Sequence, residues 1–344
     1  MVQCNMKRTE VSTVWQMEMT NFSPLDQNVG MRQRIWRSVP SYRLSQHHVL
    51  QQFSAQASGS LPMLTSDAIS IHPDRLPILR QQAVSFLTVE RSSPRVAGIF
   101  GTQQRYLLAQ LAAAMMFRSR EGTLHLSRFL EAVLASRIAS RNTAHDFIRE
   151  MQKYGVIRPS IAPEDKRSRP LKPAEETVGL LGVWVAIHLR TLDAFDHGTR
   201  SATFAETPGM LARLHPGIVE RVLQSQRSTS PDGTFSLFTW MNDGGLVMDK
   251  MIATITDFSP KDDRIVTGIA SLDEIASALR VTRTHLSRKM AVAEREGSLG
   301  WTGKRGASSL WLSPVFIEEY VGYQADKLGR VEEAFAALMV PVPA

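Results

Sequence analysis

Between Thr282 and Arg288 the chain sets Arg283, Thr284, His285, Ser287 and Arg288 around the first of three apolar residues, Leu286, Met290 and Ala293, which recur at i, i+4 and i+7. Helical spacing puts the apolar residues on one face and leaves the donors on the outward, N-terminal part. Guanidinium, imidazole and hydroxyl groups in that place suit two chemistries: hydrogen bonds to base edges in a major groove, and charge pairing with phosphates. Downstream, Gly303-Lys304-Arg305-Gly306 sets two cations between two glycines. The glycines permit a tight turn, and Ser298 to Thr302 and Ser308 to Ser313 are predicted as its flanking strands.

The elements that must position these groups are legible on both sides. Ser271 with Glu274 three residues on forms a capping box, and Leu272, Ile275, Ala276 and Leu279 give the helix it opens one apolar face. Thr282 is a second cap candidate, and Gly297 should end the second helix. Ser271 to Ser313 therefore reads as a helix-turn-helix followed by a β-hairpin wing. The plain alternative is a structural or docking element whose basic hairpin tip is only solvated.

At 344 residues, 43% hydrophobic and 21% charged, the chain has the length for about two domains and the makeup of a soluble globular protein. Its net charge of +7 favours an anionic partner, nucleic acid first. A single cysteine, Cys4, excludes an internal disulfide and a cysteine-based zinc site and fits a reducing, cytoplasmic setting. The longest uncharged apolar runs, Tyr106 to Phe117 and Val178 to Leu189, are about a dozen residues against the roughly 20 of a bilayer span, so no membrane partner is expected. No secretory signal is read at the N-terminus. Lacking a Gly-rich phosphate loop, a G-x-S-x-G elbow and an H-E-x-x-H pair, the chain is not expected to be an enzyme, and neither cofactor nor metal is expected.

Residues 1–68 are polar and without sustained periodicity, which predicts a mostly disordered segment with short helical pieces near Arg32 to Trp36. Beyond them Pro77 introduces Leu79, Ala83, Phe86 and Leu87 at helical spacing. Further helices are predicted over Thr102 to Arg118, near Leu126 to Val133, and from Ser140 to Gly155. The last has Ala144, Ile148 and Met151 inside and Arg141, Asn142, Thr143 and His145 outside, a second set of DNA-facing candidates. From Gly155 the string GVIRPSIAPEDKRSRPLKP encloses Glu164, Asp165, Lys166, Arg167 and Arg169 between two strands. Asp165 and Arg167 are spaced to brace the turn, and Arg169 can then point at a phosphate or a narrow minor groove.

This string resembles the wing of MarR-family transcriptional regulators. That signature is an Asp-x-Arg pair, a small residue, often a basic one, then an aliphatic residue and a helix start, here Asp165, Arg167, Ser168, Arg169, Leu171 and Pro173. Where the family more often has Leu-Thr, this chain has Pro173-Ala174. The resemblance implies a winged helix-turn-helix that binds double-stranded DNA, with Asp165 as brace and Lys166, Arg167, Arg169, Lys304 and Arg305 as wing cations. It implies dimerisation through the long helix predicted over Ala174 to Phe195, and a small-molecule effector, commonly aromatic, between the dimerisation and DNA-reading parts. Trp184, Phe195, Trp240 and Phe335 are compatible with such a ligand and equally with packing, so no ligand site is assigned.

About one domain-length later the order of elements returns. His72-Pro73 recurs as His215-Pro216, Gly155 as Gly297 and Phe195 as Phe335, at separations of 143, 142 and 140 residues. A final helix, Pro314 to Leu338, carries Ile317, Val321, Leu328, Val331, Phe335 and Leu338 in heptad spacing with Gln324 at the remaining core position. His72 and His215 read as helix-start residues, His188 as core, and Trp301 and Trp311 as packing beneath the second wing. The expected fold is mainly α with small β-hairpin wings. Its two tandem winged helix-turn-helix domains, 69–197 and 213–344 joined by a linker 198–212, would form an intrachain pseudo-dimer. Family members are usually homodimers with one unit per chain, so the chain resembles a fused dimer acting as a monomer, with further dimerisation open. The expected function is a sequence-specific DNA-binding transcriptional regulator with both half-site readers on one chain. Two alternatives stay open: a winged-helix protein-interaction module, and a tandem winged-helix replication initiator that would bind iterated repeats.

Overall fold

The structure, a computed structural model, describes residues 63–92, 101–160, 170–229, 231, 233–255, 258, 262–279 and 281–340. The chain is mainly helical with a few short strands. It opens with α1 (Ser66–Ile71), α2 (Arg75–Ser92), α3 (Gln103–Arg118), α4 (Leu126–Ala135) and α5 (Arg141–Lys153). The hairpin β1 (Ile157–Pro159) and β2 (Leu171–Pro173) and the long α6 (Glu175–Asp196) complete a first unit. A second comprises α7 (Arg200–Glu206), α8 (Met210–Gln224), α9 (Gln226–Thr229), α10 (Gly233–Thr239) and α11 (Gly244–Ala253). After these come β3 (Ile265–Val266), α12 (Leu272–Leu279), α13 (Arg283–Arg295), β4 (Leu299–Trp301), β5 (Leu310–Leu312) and α14 (Pro314–Met339).

With α9, α10 and β3 set aside, the order of elements in the first unit recurs in the second, and two of the bonds recur with it. In each unit the backbone ahead of the helix pair joins the second hairpin strand, Leu124 bridging Leu171 and Ile265 pairing with Leu312. Gly155 and Gly297 close the second helix of each pair at φ +73 and +72, where a side chain would be strained. In both, the next amide turns back five residues, Val156 N to Met151 O and Ser298 N to Ala293 O, at 2.9 Å each. The first unit spends extra residues between its paired helices, Ala135 to Arg141 against Leu279 to Arg283, and turns them at Arg137 with φ 54.

Three expectations need correction. His72-Pro73 and His215-Pro216 are not equivalent: His72 caps the end of α1, whereas the second dipeptide lies inside α8. Burial of Leu214, Ile218, Val219 and Val222 carries that helix through Pro216 despite the missing donor. The stretch 198–212 is not a bare linker, since it holds α7 and the start of α8. Of 1–68, residues 1–62 lie outside the described residues, but Ser66 already begins α1, capped by Thr65 and anchored by the fully buried Ile69.

The opening helices are exchanged between units. α1 packs on α14 and α7 on α6; α2 packs on α11 and α8 on α3. Arg80 Nε donates to Ala253 O at 3.1 Å, Arg118 pairs with Glu220 at 2.7 Å, and His215 Nε2 meets Gln110 Oε1 at 2.6 Å. The long helices add Gln82 Nε2 to Gln324 Oε1 at 3.1 Å and Tyr323 OH to Gln103 Oε1 at 3.0 Å. At their far ends Arg200 pairs with Asp196 at 2.7 Å and with Glu332 at 2.6 Å, and its backbone N donates to Asp193 Oδ1 at 2.8 Å.

Val185, Leu189 and Leu192 of α6 are wholly buried, whereas Thr177 to Trp184 are only half-buried. The apolar runs of the sequence predict no bilayer span, yet α6 is long and apolar enough to cross a membrane by length and composition. A packed core helix meets the same measure.

Arg200→Ala leaves Asp193, Asp196 and Glu332 without the guanidinium between them. It is expected to lower the unfolding free energy by about 3 to 5 kcal/mol, read as a lower urea midpoint; an unchanged midpoint would show the cluster contributes nothing. His188 and His215 are 0% exposed, and burial holds both imidazoles down at about 3, with the Lys327 ammonium adding to the effect at His188. They are neutral when folded and titrate near 6.5 when unfolded, so their contribution is present above pH 6.5 and is lost as pH falls toward 3. The wild type should therefore lose more stability between about pH 7.5 and about pH 5 than a chain carrying His188→Gln and His215→Gln. Equal losses would contradict buried neutral imidazoles.

Candidate nucleic-acid interface

Ser140 and Thr282 occupy the N-caps of α5 and α13 in extended conformation. Ser140 Oγ accepts from Thr143 N at 3.2 Å and so satisfies one orphan donor of the helix start. Thr282 makes no such side-chain bond, so that cap is one of backbone geometry only. The box at Ser271 is half made: its Oγ accepts from Glu274 N at 3.3 Å, but the Glu274 carboxylate reaches Ala270 N rather than the amide of Ser271.

Ala144, Phe147, Ile148 and Met151 seat α5, and Leu286, Met290 and Ala293 seat α13. That leaves Arg141, Asn142, Thr143, Arg283, Thr284 and Arg288 exposed, as the periodicity predicts. His145 and Ser287 are half-buried at the margin of each packed face. His285 departs from expectation: it is half-buried, and its Nε2 is shielded from solvent without a partner among the described residues. One residue is about 100° around a helix, which places His285 beside Leu286 at the edge of the packed side rather than at the front. Arg141, Asn142 and His145 line an open groove with Leu126, Ser127 and Leu130 of α4. Arg288 lines another along α13 with Ala291, Val292, Glu294 and Arg295.

The hairpins carry the remaining cations. The tip of the first, 161–169, lies outside the described residues, and with it Asp165, Lys166, Arg167 and Arg169. Its stem is described, and there Arg158 and Lys172 are register partners, both exposed. Like charges directly opposite one another across a strand pair repel. In the second hairpin Lys304 O accepts from Ala307 N and from Ser308 Oγ, both at 3.0 Å, and Gly306 turns at φ +81, which leaves the Lys304 side chain exposed at the tip. Arg305 instead reaches back to Glu294 at 2.8 Å.

Arg283 pairs with Asp273 at 2.7 Å. Both side chains are mostly in water, where such a pair is worth roughly 0 to 1 kcal/mol, so a phosphate can replace the carboxylate at little cost. Trp311 lies over Gly300, where a Cβ would come within 2.6 Å of its ring, and Arg264 stacks on it at 4.9 Å. Trp301 packs against the core, as read from the sequence, whereas Trp311 is half-exposed.

Sequence reasoning missed Arg158, Lys172, Asp146, Arg264 and Asp273. The hairpin register would have revealed the first two, and counting charges along α5 the third. Among the described residues no group of three or more His, Cys, Asp or Glu is placed to hold a metal ion.

Because only one of the two caps is bonded, Ser140→Ala is expected to cost about 1 kcal/mol of stability and Thr282→Ala less than half of that. Thermal unfolding of the two variants checks this, and equal losses would refute the difference in capping. Comparison with known proteins finds no matching family model, no matching curated protein and no matching solved structure, so the reading that follows rests on the sequence and on this geometry.

Proposed function

We propose that this chain is a sequence-specific double-stranded DNA-binding regulator of the MarR kind. In this reading its two repeated units are winged helix-turn-helix domains joined as an intrachain pseudo-dimer, α5 and α13 are the recognition helices, and the β1–β2 and β4–β5 hairpins are the wings. The observation that carries it is the doubling: two helices of equal length, each opened at an extended cap and closed by a left-handed glycine, each presenting exposed donors on its first turn. Exposed donors and cations at a helix front match the edges of bases and the phosphates beside them. The exchange of opening helices supports a pair of readers held in one arrangement, as a duplex with two half-sites requires.

Binding through phosphates releases counterions, so affinity falls steeply with salt. Duplexes recovered from a random pool by the full chain are expected to bind in a manner that resists competitor DNA and weakens as salt rises. Joint replacement of Arg283 and Arg288 by Ala should lower affinity by about tenfold or more. If that variant binds as the wild type does, the charge is incidental and the docking-module reading replaces this one.

A further inference from the structure

The two units are alike in backbone and unlike in charge. α5 and α13 have thirteen residues each and start in the same register, with Arg141 matching Arg283 and Asn142 matching Thr284. Six residues in, the match inverts: Asp146 on α5 stands where Arg288 stands on α13, and both are exposed. Along their lengths α5 balances Arg141, Arg149 and Lys153 against Asp146 and Glu150, whereas α13 sets Arg283, Arg288, Lys289 and Arg295 against Glu294 alone. The hairpin stems differ in the opposite sense. The first carries the facing pair Arg158 and Lys172, and the second has Gly300 facing Trp311 at the equivalent rung.

We propose that the two units engage DNA by different means, α13 reading base edges and the β1–β2 stem holding phosphates, so that the binding site is asymmetric with its sequence information concentrated under α13. This rests on the DNA-binding reading above and gives it a partner of defined form: a duplex with two unlike halves rather than an inverted repeat. A guanidinium at Arg288 can make the paired bonds to guanine O6 and N7 that distinguish a base pair in the major groove. The carboxylate of Asp146 at the corresponding place is repelled by the phosphates flanking the groove, which weakens close entry of α5. Arg158 and Lys172 repel each other in the free chain, and a phosphate oxygen between them converts that repulsion into two attractions. Contacts of that kind fix position on the duplex and carry no base identity.

The test is selection of duplexes from a random pool by the full chain, followed by titration of the preferred duplex across salt. The wild type is expected to enrich a motif with one sharply specified half and one weakly specified half. Arg288→Ala should flatten base preference within the sharp half and weaken the preferred duplex about tenfold, leaving unrelated DNA much less affected. The double variant Arg158→Gln, Lys172→Gln should leave the motif unchanged, weaken every sequence alike, and reduce the slope of log affinity against log salt by about two. Two equally specified inverted halves would overturn the inference while leaving DNA binding intact. So would a changed motif, or an unchanged salt slope, in the stem variant. Failure to enrich any sequence would overturn the DNA-binding reading itself and this inference with it. All three residues are exposed, so their loss is not expected to disturb folding.

Discussion

A single guanidinium, that of Arg200, stands where the two long helices would otherwise set like charges against each other. Asp193 on α6 and Glu332 on α14 lie eighteen residues beyond Glu175 and Pro314, the respective helix starts, and are therefore the same position in the two units. Each also holds the beginning of the other unit: Asp193 accepts from the backbone of Arg200 and Ser201, and Glu332 accepts from Leu64 N at 3.4 Å. Thr199 offers α7 no side-chain cap, so a carboxylate from the neighbouring helix does that work. The shared cation neutralises carboxylates from both units at once, where the opening helices are exchanged.

From that join the remaining arrangement follows by packing. With α1 laid on α14 and α7 on α6, each unit's second opening helix falls on the other unit's helix ahead of the helix pair, α2 on α11 and α8 on α3. Tyr320 OH donating to Asp249 Oδ1 at 2.8 Å, and Ser225 and Ser228 donating to Asp326, bond α14 to the second unit's own helices.

The two units are not equal. α10 covers the front half of α14, Phe235 against Tyr320 and Tyr323 and Phe238 against Phe316, whereas no described element covers the matching half of α6 in the same way. The apolar residues of α12, α13 and β5 merge with the central core, while Phe129, Val133, Ile148 and Leu171 belong to a separate cluster under α4 and α5. The second pair of helices is thus built into the body of the molecule and the first is seated on a small core of its own. Charge is divided as well, with α13 the more cationic helix and the β1–β2 stem the more cationic stem.

Much of this was readable from residue order. Apolar spacing located α2 to α6 and α12 to α14 because a helix with one packed side must repeat near every 3.6 residues. Gly155 and Gly297 marked two helix ends because a left-handed turn favours a residue without Cβ. The exposed fronts of α5 and α13 followed from the same periodicity. Other features belong to the tertiary structure alone. Whether His215-Pro216 opens a helix or lies inside one was decided by the burial of its neighbours, and His285 turned toward the packed side because its margin position could go either way. The exchange of opening helices, the bridging of Asp193 and Glu332 by Arg200, and the facing of Arg158 and Lys172 join residues far apart along the chain. Periodicity reports what lies on one face of one element, and it carries no information about which other element that face will meet.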